Sequence, residues 1–170
     1  MAKAHLYSRD HINTDEIIPA RYLNTDDHAE LARHCLEDLD ADFVKKVRRG
    51  DIIVAGEDFG CGSSREHAVW AIRGVGVQTI IAKSFARIFY RNAINNGFYV
   101  IESKDAIDKI NDGNELQIDY KRGLIKNKST GIDIKFAPLP DFALEIINAG
   151  GLLEHIKKQP RINTYLHGFF

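Results

Sequence analysis

Asp51-Ile52-Ile53-Val54-Ala55-Gly56-Glu57-Asp58-Phe59-Gly60-Cys61-Gly62-Ser63-Ser64-Arg65-Glu66-His67 opens the stretch that decides the fold. Asp51 to Ala55 reads as a buried strand, four of its five residues being apolar and most of those β-branched. Gly56 to Ser64 is a glycine-rich loop, and a helix is predicted from about Ser64 to Arg73. Gln78-Thr79-Ile80-Ile81-Ala82 is the next strand. A second helix is predicted from about Phe85 to Asn96, with Phe85, Ile88, Phe89 and Ala93 inward and Gly97 as its stop. Phe98-Tyr99-Val100-Ile101 is a third strand. Strand, helix, strand, helix, strand is the alternation that gives a largely parallel sheet covered by helices.

Outward from this unit the patterns are shorter. His5 to Tyr7 reads as a strand, and residues 10–16 as a polar turn. Ile17-Ile18-Pro19 ends at a residue that cannot donate to a sheet ladder. Tyr22-Leu23-Asn24-Thr25 follows as a loop. Asp27 with Glu30 resembles a capping box, ahead of Leu31, Cys35 and Leu39 on one helical face. Phe43, Val44 and Val47 suggest a short helix stopped near Gly50. On the C-terminal side, residues 115–120, 124–127 and 132–136 read as strands joined by turns at Gly123 and Gly131. Asp141 is expected to cap a helix carrying Phe142, Ile146 and Ala149, broken at Gly150-Gly151, and residues 152–158 suggest one more. The expectation is one α/β domain over residues 1–170: a mainly parallel sheet core with an added small β layer. Residues 160–170 read as a possible C-terminal extension.

Composition bounds the function. The chain has 170 residues, 44% of them hydrophobic, and a formal net charge of -1. No strong basic or acidic surplus suggests a nucleic-acid partner. The N-terminus lacks the apolar stretch of a signal peptide and no segment is apolar enough to span a bilayer, so a cytoplasmic location is expected. Cys35 and Cys61 are the two cysteines. Their spacing fits no zinc or redox motif, and an iron–sulfur cluster usually takes about four ligands. None of the seven histidines stands at a metal-ligand spacing, so no metal is expected on this chain.

The chemistry concentrates in Gly60-Cys61-Gly62-Ser63-Ser64-Arg65. Glycines let a ligand approach the backbone, and the first amides of a helix favour an anion. Two hydroxyls and a guanidinium fork complete a small carboxylate pocket. A plain helix start explains the same residues: Ser63 or Ser64 caps the helix and Arg65 sits in solvent. Both readings stand at this point. The loop lacks the lysine of a P-loop, the third glycine of a dinucleotide fingerprint, and the G-x-S-x-G of a nucleophile elbow. Lys83, Arg87 and Arg91 recur at helical spacing, as a solvated face or a subunit contact.

Gly62-Ser63-Ser64-Arg65-Glu66-His67-Ala68 resembles the signature of the swivelling domains of the aconitase superfamily. The resemblance extends to Ala82-Lys83-Ser84-Phe85-Ala86-Arg87-Ile88-Phe89-Tyr90-Arg91-Asn92 and to Asn13-Thr14-Asp15-Glu16-Ile17-Ile18-Pro19. It implies a swivelling β/β/α domain acting as the small subunit of a two-subunit hydro-lyase. It places a [4Fe-4S] cluster on a large partner subunit and none on this chain. The implied reaction removes water from a hydroxy-dicarboxylic acid and returns it at the neighbouring carbon. By motif position Ser63 resembles the catalytic serine, and Ser64 and Arg65 the residues that hold substrate carboxylate. Tyr22, Leu23, Asn24 and Thr25 resemble the substrate-discriminating loop. Asn24 stands where homoaconitase-type members carry an arginine, which favours an isopropylmalate-type branch over a third carboxylate. Homoaconitase-type or related branched-malate chemistry, a non-catalytic carboxylate-binding domain, and self-association of the isolated chain are the alternatives kept open.

Overall fold

The computed structural model describes residues 2–158. In chain order its elements are β1 (Ala2–Tyr7), α1 (Thr14–Ile17), α2 (His28–Arg33), α3 (Phe43–Lys46), β2 (Ile52–Ala55) and α4 (Glu66–Gly74). Then follow β3 (Thr79–Ala82), α5 (Arg87–Asn95), β4 (Tyr99–Glu102), α6 (Ala106–Lys109), β5 (Glu115–Asp119), β6 (Leu124–Asn127), β7 (Asp133–Lys135), α7 (Asp141–Ala149) and α8 (Leu152–Lys158). The extension expected at residues 160–170 lies outside the described residues.

The strands form one seven-stranded sheet in the order β4-β3-β2-β1-β5-β6-β7. The four strands from β4 to β1 are parallel, and β5, β6 and β7 continue from β1 as an antiparallel meander. The small β layer is thus hydrogen-bonded into the same sheet. It also curls back over the parallel half: Ile52, Val54, Ile81 and Ile101 share one core with Leu116, Ile125 and Ile134. The alternate residues Ile53, Ala55, Ile80, Ala82 and Val100 face the opposite way, into a core with α4, α5 and the N-terminal helices. Both faces of β2, β3 and β4 are therefore covered, which is why these strands read as continuous apolar runs rather than as alternation. Burying each large aliphatic chain contributes about 1.5–3 kcal/mol, so a polar residue on either face would be costly.

One buried carboxylate ties β1 to β2. Asp51 is 3% exposed. It accepts from the Lys3 amide at 3.0 Å, the Arg48 amide at 2.8 Å, and lies 2.9 Å from His5 Nε2. Burial alone would raise its pKa, but these hydrogen bonds outweigh it and hold the carboxyl below its usual range.

Several expectations about helix ends and faces need correcting. Helix α4 begins at Glu66 with Arg65 in the cap position and no side-chain cap, so neither serine caps it. Asp27 does cap α2, but Glu30 pairs with Arg33 and His34 and closes no box. The complete capping box is on α1: Asn13 accepts from the Asp15 and Glu16 amides, and Glu16 accepts from the Asn13 amide. Pro140, not Asp141, precedes α7, and Phe142 on that helix is 65% exposed. Ile88, expected inward on α5, is 48% exposed. Among the described residues, no helix is long and apolar enough to cross a membrane.

Candidate active site

The loop from Gly56 to Arg65 joins the end of β2 to the start of α4, and a second loop running into α1 lies across it. The two are laced by backbone hydrogen bonds. The Gly56 amide donates to Arg9 O at 3.0 Å, Gly60 to Ile12 O at 2.8 Å, and Thr14 to Cys61 O at 2.8 Å. A side chain at Gly56 would overlap Asp10 Oδ1. Gly60 has φ +79°, and a Cβ there would stand 2.2 Å from the Phe89 ring. These two glycines are required by close approach, so the loop's path is fixed by packing as much as by its own conformation.

This lacing sets the side chains. Thr14 Oγ1 donates to Ser63 O at 3.1 Å, which pins the loop beside α1. Ser63 and Ser64 are exposed, and neither hydroxyl finds a hydrogen-bond partner among the described residues. Arg65 forms an ion pair with Asp15, from the first turn of α1. Its side chain is 18% exposed while that of Asp15 is 55% exposed, so the guanidinium is sheltered and its partner faces solvent. Ser63, Ser64 and Arg65 line one cavity of about 280 Å³ with Thr14, Gly60 and Gly62. Its other wall is Ala86, Arg87, Ile88 and Phe89, from the start of α5. Ile88 is thus exposed because it faces this cavity.

The arrangement suits one kind of ligand: a small acid whose carboxylate meets Arg65 and the serine hydroxyls while an apolar part lies on Ile88 and Phe89. A larger groove of about 590 Å³ lies between Tyr99, Tyr120 and Asn148. It presents Asp119, Asp141 and Glu145 with Lys121, a lining poorly matched to an anion. Arg87, which lines the cavity, has no carboxylate partner among the described residues, so it adds a second cation to Arg65 there.

The structure brings Ser63, Ser64 and Arg65 together but leaves the 22–25 loop, expected to discriminate substrates, apart from them. Residues 22–25 do not line the cavity. The Tyr22 ring stacks on His34 at 3.6 Å and its hydroxyl donates to Glu37 at 2.9 Å. Leu23 packs against the core, Thr25 Oγ1 accepts from the Asp27 amide, and Asn24 is exposed. Arg21 is occupied by Glu37 and Asp38, so it offers no free fork to a substrate. The loop reaches the site's neighbourhood through Asp26, which lies 3.4 Å from His67 on α4. Asp15 and Thr14 were given no role from sequence, although the Asn13…Glu16 capping pattern that fixes them was legible there.

The chain's cysteines do not fit an iron–sulfur cluster. Cys35 is fully buried, with its thiol pushed up by burial. Cys61 is half-buried, and its thiol is pushed up by burial and by the nearby Asp58 carboxylate.

The Aconitase C-terminal domain model matches residues 6–106. The chain is 57% identical over 157 residues to the 3-isopropylmalate dehydratase small subunit 2 of Deinococcus radiodurans, covering 92% of this chain and 76% of the relative. It is 59% identical over 155 residues to the 3-isopropylmalate dehydratase small subunit of Caldicellulosiruptor saccharolyticus, covering 91% and 89%. The crystal structure of 3-isopropylmalate dehydratase from Methanocaldococcus jannaschii superposes with a TM-score of 0.87 at 48% identity, covering 92% of each chain. On these matches, the chain belongs to the aconitase C-terminal domain family and, within it, to the 3-isopropylmalate dehydratase small subunits.

Proposed function

We propose that this chain supplies the serine–arginine half of a shared active site that interconverts 2-isopropylmalate and 3-isopropylmalate through 2-isopropylmaleate. The observation that carries the reading is the cavity where two unpartnered serine hydroxyls and the Arg65 guanidinium face an apolar wall. Ser63 is the base that takes the proton alpha to a carboxylate. A hydroxyl is a weak base in water, so its anion needs positive potential, and Arg65 supplies it from a sheltered position. Ser64 and Arg65 hold the substrate carboxylate, and Ile88 and Phe89 offer the isopropyl branch an apolar surface. The partner is a large subunit, and the [4Fe-4S] cluster is assigned to it, because the two cysteines here fall short of the usual about four ligands; when bound it would act as Lewis acid on the leaving hydroxyl.

The test is co-expression with the candidate large subunit under anaerobic conditions, followed by turnover of 2-isopropylmalate, citrate and homocitrate-type acids. Turnover of 2-isopropylmalate is expected from the assembled wild type and not from either subunit alone. Ser63→Ala is expected to abolish it without loss of folding or assembly, because the Ser63 hydroxyl neither caps α4 nor bonds to another described residue, and the backbone carbonyl that Thr14 holds is kept. Near-normal kcat in the assembled variant overturns the role of Ser63. Preference for a tricarboxylic acid overturns the substrate.

A further inference from the structure

His11 meets Asp58 and Cys61 of the active-site loop outside the lining of the cavity. Their ligand atoms, one ring nitrogen, one carboxylate oxygen and one sulfur, all lie within 4.8 Å of one another. His11 Nδ1 stands 3.3 Å from Asp58 Oδ2. Two of the three residues hold left-handed backbone, His11 at φ 56° and Asp58 at φ 55°. That conformation is uncommon for a residue other than glycine and needs support from its surroundings. Here the support is visible: the His11 amide donates to Glu57 O at 2.8 Å, and the Asp58 amide donates to Ser84 Oγ at 2.9 Å. The lacing at Gly60 and Thr14 closes the same two loops on the other side. The three donors are therefore set on fixed backbone before any ligand arrives. With side chains 69% and 44% exposed, His11 and Asp58 leave an approach from solvent.

We propose that His11 Nδ1, the Asp58 carboxylate and Cys61 Sγ form a binding site for a borderline divalent transition-metal ion of the zinc class. The donor set decides the class: hard cations such as magnesium and calcium take oxygen ligands, whereas nitrogen, sulfur and carboxylate together suit zinc in a tetrahedral site with one position left to water. Cys61 binds as thiolate and its proton goes to solvent. This departs from the expectation, drawn from ligand spacing, that the chain holds no metal. Spacing could not show the site, because His11 reaches it from a different loop. The ion ties the loop that leads into α1, whose first turn carries Asp15, to the loop that carries Ser63 and Arg65, so occupancy steadies the serine–arginine constellation from outside it.

The experiment titrates the metal-free full-length chain with Zn²⁺ against a chelator, and with Co²⁺ followed by its thiolate charge-transfer absorption. One equivalent of each ion is expected, with the charge-transfer band present. Because Cys35 is sealed in the core, that band reports on Cys61. Cys61→Ser is expected to abolish the band and weaken Zn²⁺ binding at least tenfold. His11→Asn and Asp58→Asn are expected to weaken binding similarly, and asparagine tolerates the left-handed backbone at both positions. Circular dichroism and Tm of the metal-free variants check that the fold is kept, and Cys61→Ser, at a position without left-handed backbone, decides if either asparagine variant unfolds. Absence of stoichiometric binding, or wild-type affinity in Cys61→Ser, overturns the proposal.

Discussion

Arg65 is held by one acid and offered to another. Asp15 grips it from α1, and it lines the cavity beside Ser63 and Ser64, where the proposed substrate carboxylate would meet it. A planar guanidinium can serve two carboxylates from different edges, while a lysine ammonium is a single point charge. Arg65→Lys should therefore keep the charge and lose the second contact. The expected result is a fall in kcat/KM of the assembled enzyme of about tenfold or more, equal to about 1.4 kcal/mol of transition-state stabilisation. The Tm should scarcely move, because an ion pair whose acidic partner is more than half exposed contributes little to folding. An unchanged kcat/KM places Arg65 outside the chemistry, and a large fall in Tm with unchanged kcat/KM makes it structural.

Between the residue and the fold stand the elements, and they differ in how well they could be read. The unit from β2 to β4 was legible because its strands are buried on both faces and so carry unbroken apolar runs. Ser63 and Ser64 were not separable from an ordinary helix start, because serine is equally suited to a cap and to a ligand. Only the start of α4 at Glu66 removes the cap reading. Ile88 misled for a related reason: an apolar residue looks the same whether it faces a core or a cavity. The 22–25 loop does not line the cavity of this chain, so it reads a substrate side group only if assembly with the large subunit brings it to the site, and that is what a change at residue 24 tests. Arg21 is engaged by Glu37 and Asp38, and Glu37 itself is held down to about 2 by hydrogen bonds from His34 and Arg21. No spare guanidinium is left there for a third carboxylate, and Asn24 is the exposed position. Asn24→Arg supplies one. Against an isopropyl branch the new charge would be desolvated without a partner, and with a third carboxylate it would gain a charge-assisted hydrogen bond of about 1.5–3 kcal/mol. The ratio of kcat/KM for 2-isopropylmalate to that for a homocitrate-type acid should fall in the assembled variant. A ratio within about twofold of wild type removes the loop from substrate choice.

At the scale of the whole molecule, the parallel and antiparallel halves of the sheet meet at β1, so anything that anchors β1 anchors both. Asp51 is that anchor: it accepts two backbone amides, Lys3 in β1 and Arg48 in the turn before β2, and it contacts His5. Its side chain stood out in the sequence merely as the polar edge of a strand, since two of its three partners, Lys3 and His5, lie more than forty residues away. Asp51→Asn replaces one acceptor oxygen by a donor. One amide or the histidine is left unsatisfied in the interior, at a cost of about 1–3 kcal/mol. In a domain of this size that lowers Tm by about 2–4 °C for each kcal/mol. The pH dependence gives the sharper test. Because the folded-state pKa of Asp51 lies below its unfolded value, its ionised form contributes stability that is fully present above the unfolded pKa, about 3.9. That contribution is lost as pH falls through the folded pKa. The gap in Tm between wild type and Asp51→Asn should therefore be widest near neutral pH and narrow below about pH 4. Thermal unfolding of both chains from pH 7 down to the acid limit of the wild type measures it. A gap that stays constant over that range would mean that packing around residue 51, and not its charge, holds β1 in place.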